Sequence, residues 1–493
     1  MKQVKALAGQ TVVYGLPSIV VRILNYFLVP LYTRAFSPAD YGTVTSLYAA
    51  MSFLNILLTY GMETSLFNFS RQYEDKRKVY STILTSVTVT SLIFLSIAYI
   101  FRGAFATFVK DPTHPTYIVW VALILSTDAV SSIAFAKMRE QNKARNFAII
   151  KAMNIVFNIV FNVFFIVICP KILRHPDNMF YGLVQQIYSP DIGVGYVFVS
   201  QVLSSALTLV MLLPILIKAG INFDKELWKK IMPYTLPLLL AGFAGMINET
   251  LDRFILLYLI KPEDIAREQI GIYGACYKIS IIITMFVQAY RYAAEPFFFS
   301  TSKDPDFKKT YADITKYFII ICLFIFLGTM FNLSWIQYFV GKNFRSGLAV
   351  VPILLMANLC LGVFYNLSMW YKLAHKTMFG AYLTVFGAVI TIVINVVFVK
   401  YYGYMASAWA TLICYASQMV VSYFLSNKYF PVKFDLPRIG LYFTISLTLY
   451  LASREIQIDS YPLLLVVKNG LILMFAIAVF LIEKPSFAIL KRN

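Results

Sequence analysis

Fourteen apolar runs, most of them about twenty residues long or more, follow one another along this 493-residue chain. No other feature restricts its fold as strongly. Such a run crosses about 30 Å of hydrocarbon as a helix, and only helices or closed barrels satisfy every backbone polar group there. The runs lie at 11–33, 43–70, 79–101, 115–136, 147–169, 193–217, 232–260, 271–298, 312–332, 346–371, 379–399, 404–427, 439–453 and 462–482. The thirteenth is the shortest. Composition agrees: 59% of residues are hydrophobic and 14% charged, where a soluble domain carries about 25% charged residues. The expected fold class is an all-α polytopic membrane protein with about 14 transmembrane helices.

The net charge of +19 would suit nucleic acid, but its distribution points elsewhere. Lys and Arg alternate between rich and poor segments along the chain. Of the 43, 25 fall in odd-numbered segments and 11 in even-numbered ones. This is the positive-inside pattern, and a missed or invented span would scramble it. Both termini are therefore expected on the cytoplasmic side, with no nucleic-acid partner. The clusters RQYEDKRK (Arg71–Lys78) and KMREQNKAR (Lys137–Arg145) then face the cytoplasm, as topology anchors or as docking sites for lipid headgroups.

Short loops and missing motifs weigh against an enzyme. The longest connection, 170–192, leaves no room for an aqueous catalytic domain. No Walker motif, dinucleotide fingerprint or zinc-protease signature is present. The five cysteines are scattered singly, and His114, His175 and His375 are far apart. Neither a metal, a cofactor nor a catalytic residue is expected. The first apolar run is too long for a cleavable signal sequence.

The chain repeats weakly at half length. DYGTVTSLYAAMS (Asp40–Ser52) answers to IGIYGACYKIS (Ile270–Ser280), and NIVFNVFFIV (Asn158–Val167) to TIVINVVFVK (Thr391–Lys400). GYVFVSQVLSSALT (Gly195–Thr208) answers to GYMASAWATLICYAS (Gly403–Ser417). The reading is an N-lobe at 1–217, a C-lobe at 218–427 and two appended helices at 428–493. Six spans per copy give both lobes one orientation, a parallel pseudo-repeat around a central cleft.

Ionisable residues inside spans are costly and call for a reason. Arg22 lies in span 1, Glu63 in span 2, Asp128 in span 4, and Glu249, Asp252 and Arg253 in span 7; Lys278, Arg291 and Glu295 lie in span 8 and Lys468 in span 14. Glu249 and Arg253 are four apart and can pair along one helix face. Asp252 is then left to pair with Lys278 or to titrate. Arg22 either has a structural partner or lines the cleft. The cations Arg22, Arg253, Arg291 and Lys278 are the substrate-binding candidates, since the arginine fork suits phosphate. Asp128, Glu249, Asp252 and Glu63 are the coupling or structural carboxylates, with H⁺ or Na⁺ as the ion. Tyrosines in the spans, among them Tyr290, Tyr365 and Tyr371, are belt or packing residues, with a minority suited to sugar rings.

The stretches VPLYTRAFSPADYGTVTSLYA (Val29–Ala49), KMREQNKARNFAIIKAMNIVFNIVFN (Lys137–Asn162), LDRFILLYLI with IGIYGACYKIS (Leu251–Ser280), and YKLAHKTMFGAYLTVFGAVITIVINVVF with YYGYMASAWAT (Tyr371–Thr411) carry a resemblance. In order and spacing the chain resembles the polysaccharide transporter or oligosaccharide flippase family, the Wzx type, of the multidrug/oligosaccharidyl-lipid/polysaccharide exporter superfamily. The resemblance implies a fourteen-helix flippase of the bacterial cytoplasmic (inner) membrane. It would move undecaprenyl-diphosphate-linked oligosaccharide outward for O-antigen (lipopolysaccharide), capsule or exopolysaccharide assembly, with a glycan polymerase or other assembly proteins as partners. Asp252-Arg253 matches the family's recurrent Asp-Arg in span 7. The rivals are an ion-coupled multidrug antiporter and a peptidoglycan-precursor flippase of the same superfamily, a membrane enzyme of glycan assembly, and a non-transporting scaffold.

Overall fold

A computed structural model describes residues 24, 26–220, 222–456 and 458–490, the side chains of 484–490 excepted. Among the described residues the chain is helical throughout, with no strand. Numbered by span, the helices are α1 (Leu28–Ala35), α2 (Pro38–Thr59), α3 (Lys76–Ile100), α4 (Pro115–Glu140), α5 (Ala144–Val163), α6 (Gly195–Ala219) and α7 (Lys225–Leu259). They continue as α8 (Glu263–Thr301), α9 (Phe307–Phe331), α10 (Val350–Leu367), α11 (Met378–Tyr402), α12 (Tyr404–Tyr429), α13 (Leu436–Glu455) and α14 (Tyr461–Leu490).

Among the described residues twelve helices are long and apolar enough to cross a membrane, and they coincide with twelve of the fourteen apolar runs. Most of the first run lies outside the described residues. The thirteenth forms a 20-residue helix but is not among the twelve, because Arg438, Arg454 and Glu455 close its ends and Thr444, Ser446, Thr448 and Ser453 dilute its apolar face.

Local chemistry sets the helix starts. Ser37 and Asp40 form a reciprocal capping box at the start of α2, which satisfies orphan N–H groups. Asp224 accepts from the Leu227 N–H at 2.8 Å to begin α7 and pairs with Lys78 of α3. That ammonium, helped by the helix N–H, holds the Asp224 carboxyl below the usual carboxylate range. Prolines 233 and 237 sit inside α7 and Pro296 inside α8, where each removes a backbone donor.

The chain divides into two compact units. The first holds the described residues up to Ala275 together with Ala388–Ser407. Within it α4 packs on α2, α3 and α6, and α6 also lies along α5. Phe135, Met138, Phe147, Ile150 and Leu212 form one buried cluster there. α7 lies against α2, with Phe53 close to Phe243 and Phe254. The opening turns of α8 cross α2 at two glycines. A Cβ on Gly42 would overlap the Arg267 carbonyl, and one on Gly271 would overlap the Pro38 carbonyl. Only glycine permits backbones this close. The two repeated stretches singled out in the sequence, Asp40–Ser52 and Ile270–Ser280, therefore meet at this crossing.

The second unit holds Cys276–Gly387 and the described residues from Ala408 onward. α9 packs on α10, α13 and α14. Phe298, Phe307, Tyr311 and Met369 form its buried cluster. The buried Trp370 donates its indole N–H to Ser422 Oγ at 3.1 Å.

Candidate functional site

In the first unit the site centres on α7. Asp252 and Arg253 are buried, at 4% and 7% exposure, while Glu249, one turn earlier, is exposed. Arg253 Nη1 reaches Asp252 Oδ1 at 2.6 Å and the Glu249 carbonyl oxygen at 2.5 Å. The same carboxylate oxygen accepts the Arg253 backbone N–H at 2.9 Å. The guanidinium also lies 5.1 Å from the Tyr273 ring centroid of α8. The expectation that Asp252 is left over is thus corrected: Asp252 pairs directly with Arg253. An arginine whose neighbouring side chain folds back on it needs no helical i,i+4 spacing, so periodicity alone misses the pairing.

Beside this pair runs a polar seam. Asn395 of α11 donates to the Thr391 carbonyl at 2.8 Å and accepts from Ser407 Oγ at 2.7 Å. Its repeat counterpart Asn162 of α5 donates to the Asn158 carbonyl at 2.8 Å and accepts from Tyr32 Oη at 2.9 Å. Both asparagines are fully buried. Matched positions of the internal repeat therefore use the same bonding plan, one bond to the carbonyl four residues back and one across to another helix.

A second polar stripe crosses α2, α4, α5 and α6. Ser205 Oγ donates to Asp128 Oδ1 at 2.8 Å. Tyr48 Oη donates to Gln201 Oε1 at 2.9 Å, and Asn154 Nδ2 to Thr208 Oγ1 at 2.8 Å. The Lys151 ammonium acts on Asp128 and sits 4.2 Å from the Phe135 ring centroid. Glu63 forms a 2.6 Å ion pair with Arg139, and both charges act on Lys151.

In the second unit Arg291 is the prominent cation. Its guanidinium lies 4.2 Å from the Tyr365 ring centroid. Glu295 Oε1 joins Arg291 Nη2 at 3.2 Å to Lys372 Nζ at 2.9 Å. Two cations thus share one carboxylate, which leaves a net positive, half-buried cluster beside an aromatic face. Such a surface suits a phosphoryl group next to a sugar ring. Lys278 is half-buried on α8 in the same unit. Arg22 lies outside the described residues.

Two intramembrane lysines are missing from the expectations above. Each interrupts an apolar run, so the signal was there to read. Lys151 belongs with Asp128. Lys316 of α9 is buried and meets Glu483 of α14 at 2.8 Å; Tyr317 donates to the same oxygen as Lys316 at 3.2 Å, and Tyr442 of α13 donates to the other oxygen of that carboxylate at 2.6 Å. This knot ties α9, α13 and α14 together. Glu483 falls just beyond the last apolar run, where sequence reading treats a charge as ordinary. No cluster among the described residues has the donors for a metal ion, and all five cysteines are buried free thiols.

Comparison with known proteins places this architecture. A family model described as polysaccharide biosynthesis protein matches residues 7–302. Among solved structures, lipid II flippase MurJ in an inward closed conformation superposes with a TM-score of 0.74 at 12% identity, covering 97% of this chain and 100% of its own. An inward-facing multidrug resistance MATE family transporter of the MOP superfamily gives 0.64 at 14% identity, covering 88% of this chain and 98% of its own. The MATE transporter DinF-BH gives 0.58 at 15% identity over 87% and 95%. No curated protein matches the sequence. These neighbours are transporters and flippases rather than enzymes, and the fold is theirs. With more than half its length matched by the family model, the chain belongs to the polysaccharide biosynthesis protein family.

Proposed function

We propose that the protein is a flippase that carries a polyprenyl-diphosphate-linked oligosaccharide across the bacterial cytoplasmic membrane by alternating access, with both termini in the cytoplasm. The family match carries this reading. The flippase neighbour covers 97% of the chain against 88% for the multidrug transporter, which favours a lipid-linked glycan over a drug. Arg291 with Lys372 beside Tyr365 offers charge and an aromatic face for a diphosphate and its first sugar. Charge bias puts the α2–α8 glycine crossing on the outer side of the membrane.

The second reading, a peptidoglycan-precursor flippase, is favoured by the 0.74 TM-score with the lipid II flippase. Coupling is assigned to H⁺ or Na⁺, with Asp128 as the carboxylate that takes up the ion, since Asp252 already has Arg253.

The test is reconstitution of the purified protein in vesicles carrying a fluorescent polyprenyl-diphosphate oligosaccharide or lipid II on one leaflet, with exposure on the other read by an impermeant quencher. Protein-dependent movement of the oligosaccharide lipid supports the first reading. Movement of lipid II alone supports the second, and movement of neither sinks both.

A further inference from the structure

Three loops of the first unit, each carrying four basic residues, converge at one place. They are 71–78, 137–146 and 218–231, and the charge bias of the sequence puts all three on the cytoplasmic face. Two adjoining cavities open there, of about 720 and 790 Å³. Lys76, Glu140 and Asn142 line both. The first is walled by Arg71 and Arg139. The second is walled by Arg77, Lys137, Lys143 and Lys218. Two carboxylates, Glu74 and Glu140, offset these cations within the walls. Glu140 is already shared between Lys76 at 3.5 Å and Lys137 at 2.8 Å. Among the described residues Arg71, Lys143 and Lys218 have no ion-pair partner.

The walls also carry unspent hydrogen-bonding capacity. Ser70 Oγ, Tyr80 Oη and Arg139 Nε are buried and make no hydrogen bond. Buried polar atoms of this kind are rare and ask for a ligand or solvent. One wall is different in character: Pro214, Ile215 and Ala219 line the second cavity, and the exposed Leu213 and Ile217 continue α6 as an apolar surface. A ligand with an anionic head and an apolar tail fits this sequence of surfaces.

We infer that these adjoining cavities form a binding site for the phosphate headgroup of an anionic phospholipid of the cytoplasmic leaflet, with its acyl chains leaving along α6. The site is built from the ends of α3, α4 and α6 and from residues 67–74, and is independent of which glycan the protein moves. Free inorganic phosphate shares the head chemistry but has no use for the apolar wall.

The experiment titrates the full-length protein in nonionic detergent with phosphatidylglycerol or phosphatidylcholine and counts bound lipid by native mass spectrometry. Phosphatidylglycerol is expected to bind in preference, and high salt to weaken it in the unmodified protein. Lys143→Ala and Lys218→Ala should each weaken binding roughly fivefold, about the effect of one basic residue near an anionic surface, while Lys143→Arg retains it. Tyr80→Phe should weaken it without removing charge. Equal binding of phosphatidylcholine, salt-insensitive binding, or an unchanged Lys143→Ala/Lys218→Ala double variant overturns the assignment. Displacement of the lipid by equimolar inorganic phosphate would overturn it in favour of a free phosphoryl ligand.

Discussion

Asp252 and Arg253 show how a charged pair survives in a membrane helix. Moving either charge out of water is expensive, and the pair is tolerated because each neutralises the other and the arginine finds a carbonyl as well. Removing one partner leaves a buried charge, a cost of about 3–5 kcal/mol. Arg253→Ala and Asp252→Ala should therefore lower the amount of folded protein, measured by fluorescence-detected gel filtration. The double change Asp252→Asn with Arg253→Gln should restore folding; if transport also returns, the charges serve structure alone. Arg291 is a different case, since it is half exposed and shares its carboxylate with Lys372. Arg291→Ala should leave protein level normal and abolish vesicle transport, with Arg291→Lys intermediate because the fork is lost. A fall in protein level with Arg291→Ala would mark it as a packing residue.

At the scale of helices, the α2–α8 crossing depends on glycine. Gly271→Leu cannot be accommodated without separating the two backbones, so the variant should fold yet fail to transport. Cysteines placed at flanking positions of the two helices should cross-link less readily in it, and unchanged cross-linking would refute the contact. The α7 start offers a pH test. The Asp224 carboxyl is held below its ordinary value by Lys78, so its contribution is present above the carboxylate's unfolded pKa, about 3.9. It is lost as pH falls through the lower folded value. Asp224→Asn should remove that part of the acid dependence of the melting temperature, leaving a flatter profile as pH falls below the carboxylate's unfolded pKa. Glu483 holds α9, α13 and α14 through Lys316, Tyr442 and Tyr317, so Glu483→Ala should destabilise the second unit by about 3–5 kcal/mol, seen as an earlier melting step.

For the whole molecule, the functional expectation is that two repeated sets of helices work a substrate path in turn. Collapse of the proton or the sodium gradient in vesicles should stop translocation, and Asp128→Asn should remove the response to that gradient. Transport that continues without either gradient would end the coupling assignment. The repeat is visible as bonding, in the matched pairs Asn162 with Tyr32 and Asn395 with Ser407, and as contact, in the glycine crossing. The asparagines hold equivalent positions of the repeat in comparable surroundings, and the crossing brings the two repeated stretches into contact.

The sequence alone determined the class and, among the described residues, twelve of the expected spans, because hydrocarbon thickness and backbone hydrogen bonding admit few solutions and each span must be apolar throughout. It also marked most intramembrane charges, since any charge in such a run is conspicuous. It could not assign partners. Whether Arg253 is neutralised by Glu249 or Asp252 depends on rotamers and on what lies beside α7. The same holds for Asp128, whose neighbours Ser205 and Lys151 come from α6 and α5, and for Lys316, whose partner stands 167 residues away. Two basic clusters that read as separate topology anchors, 71–78 and 137–145, came to line two adjoining cavities only when the helices packed. Spans follow from local composition, which the solvent judges one helix at a time. Pairing follows from packing, which only the assembled helices decide.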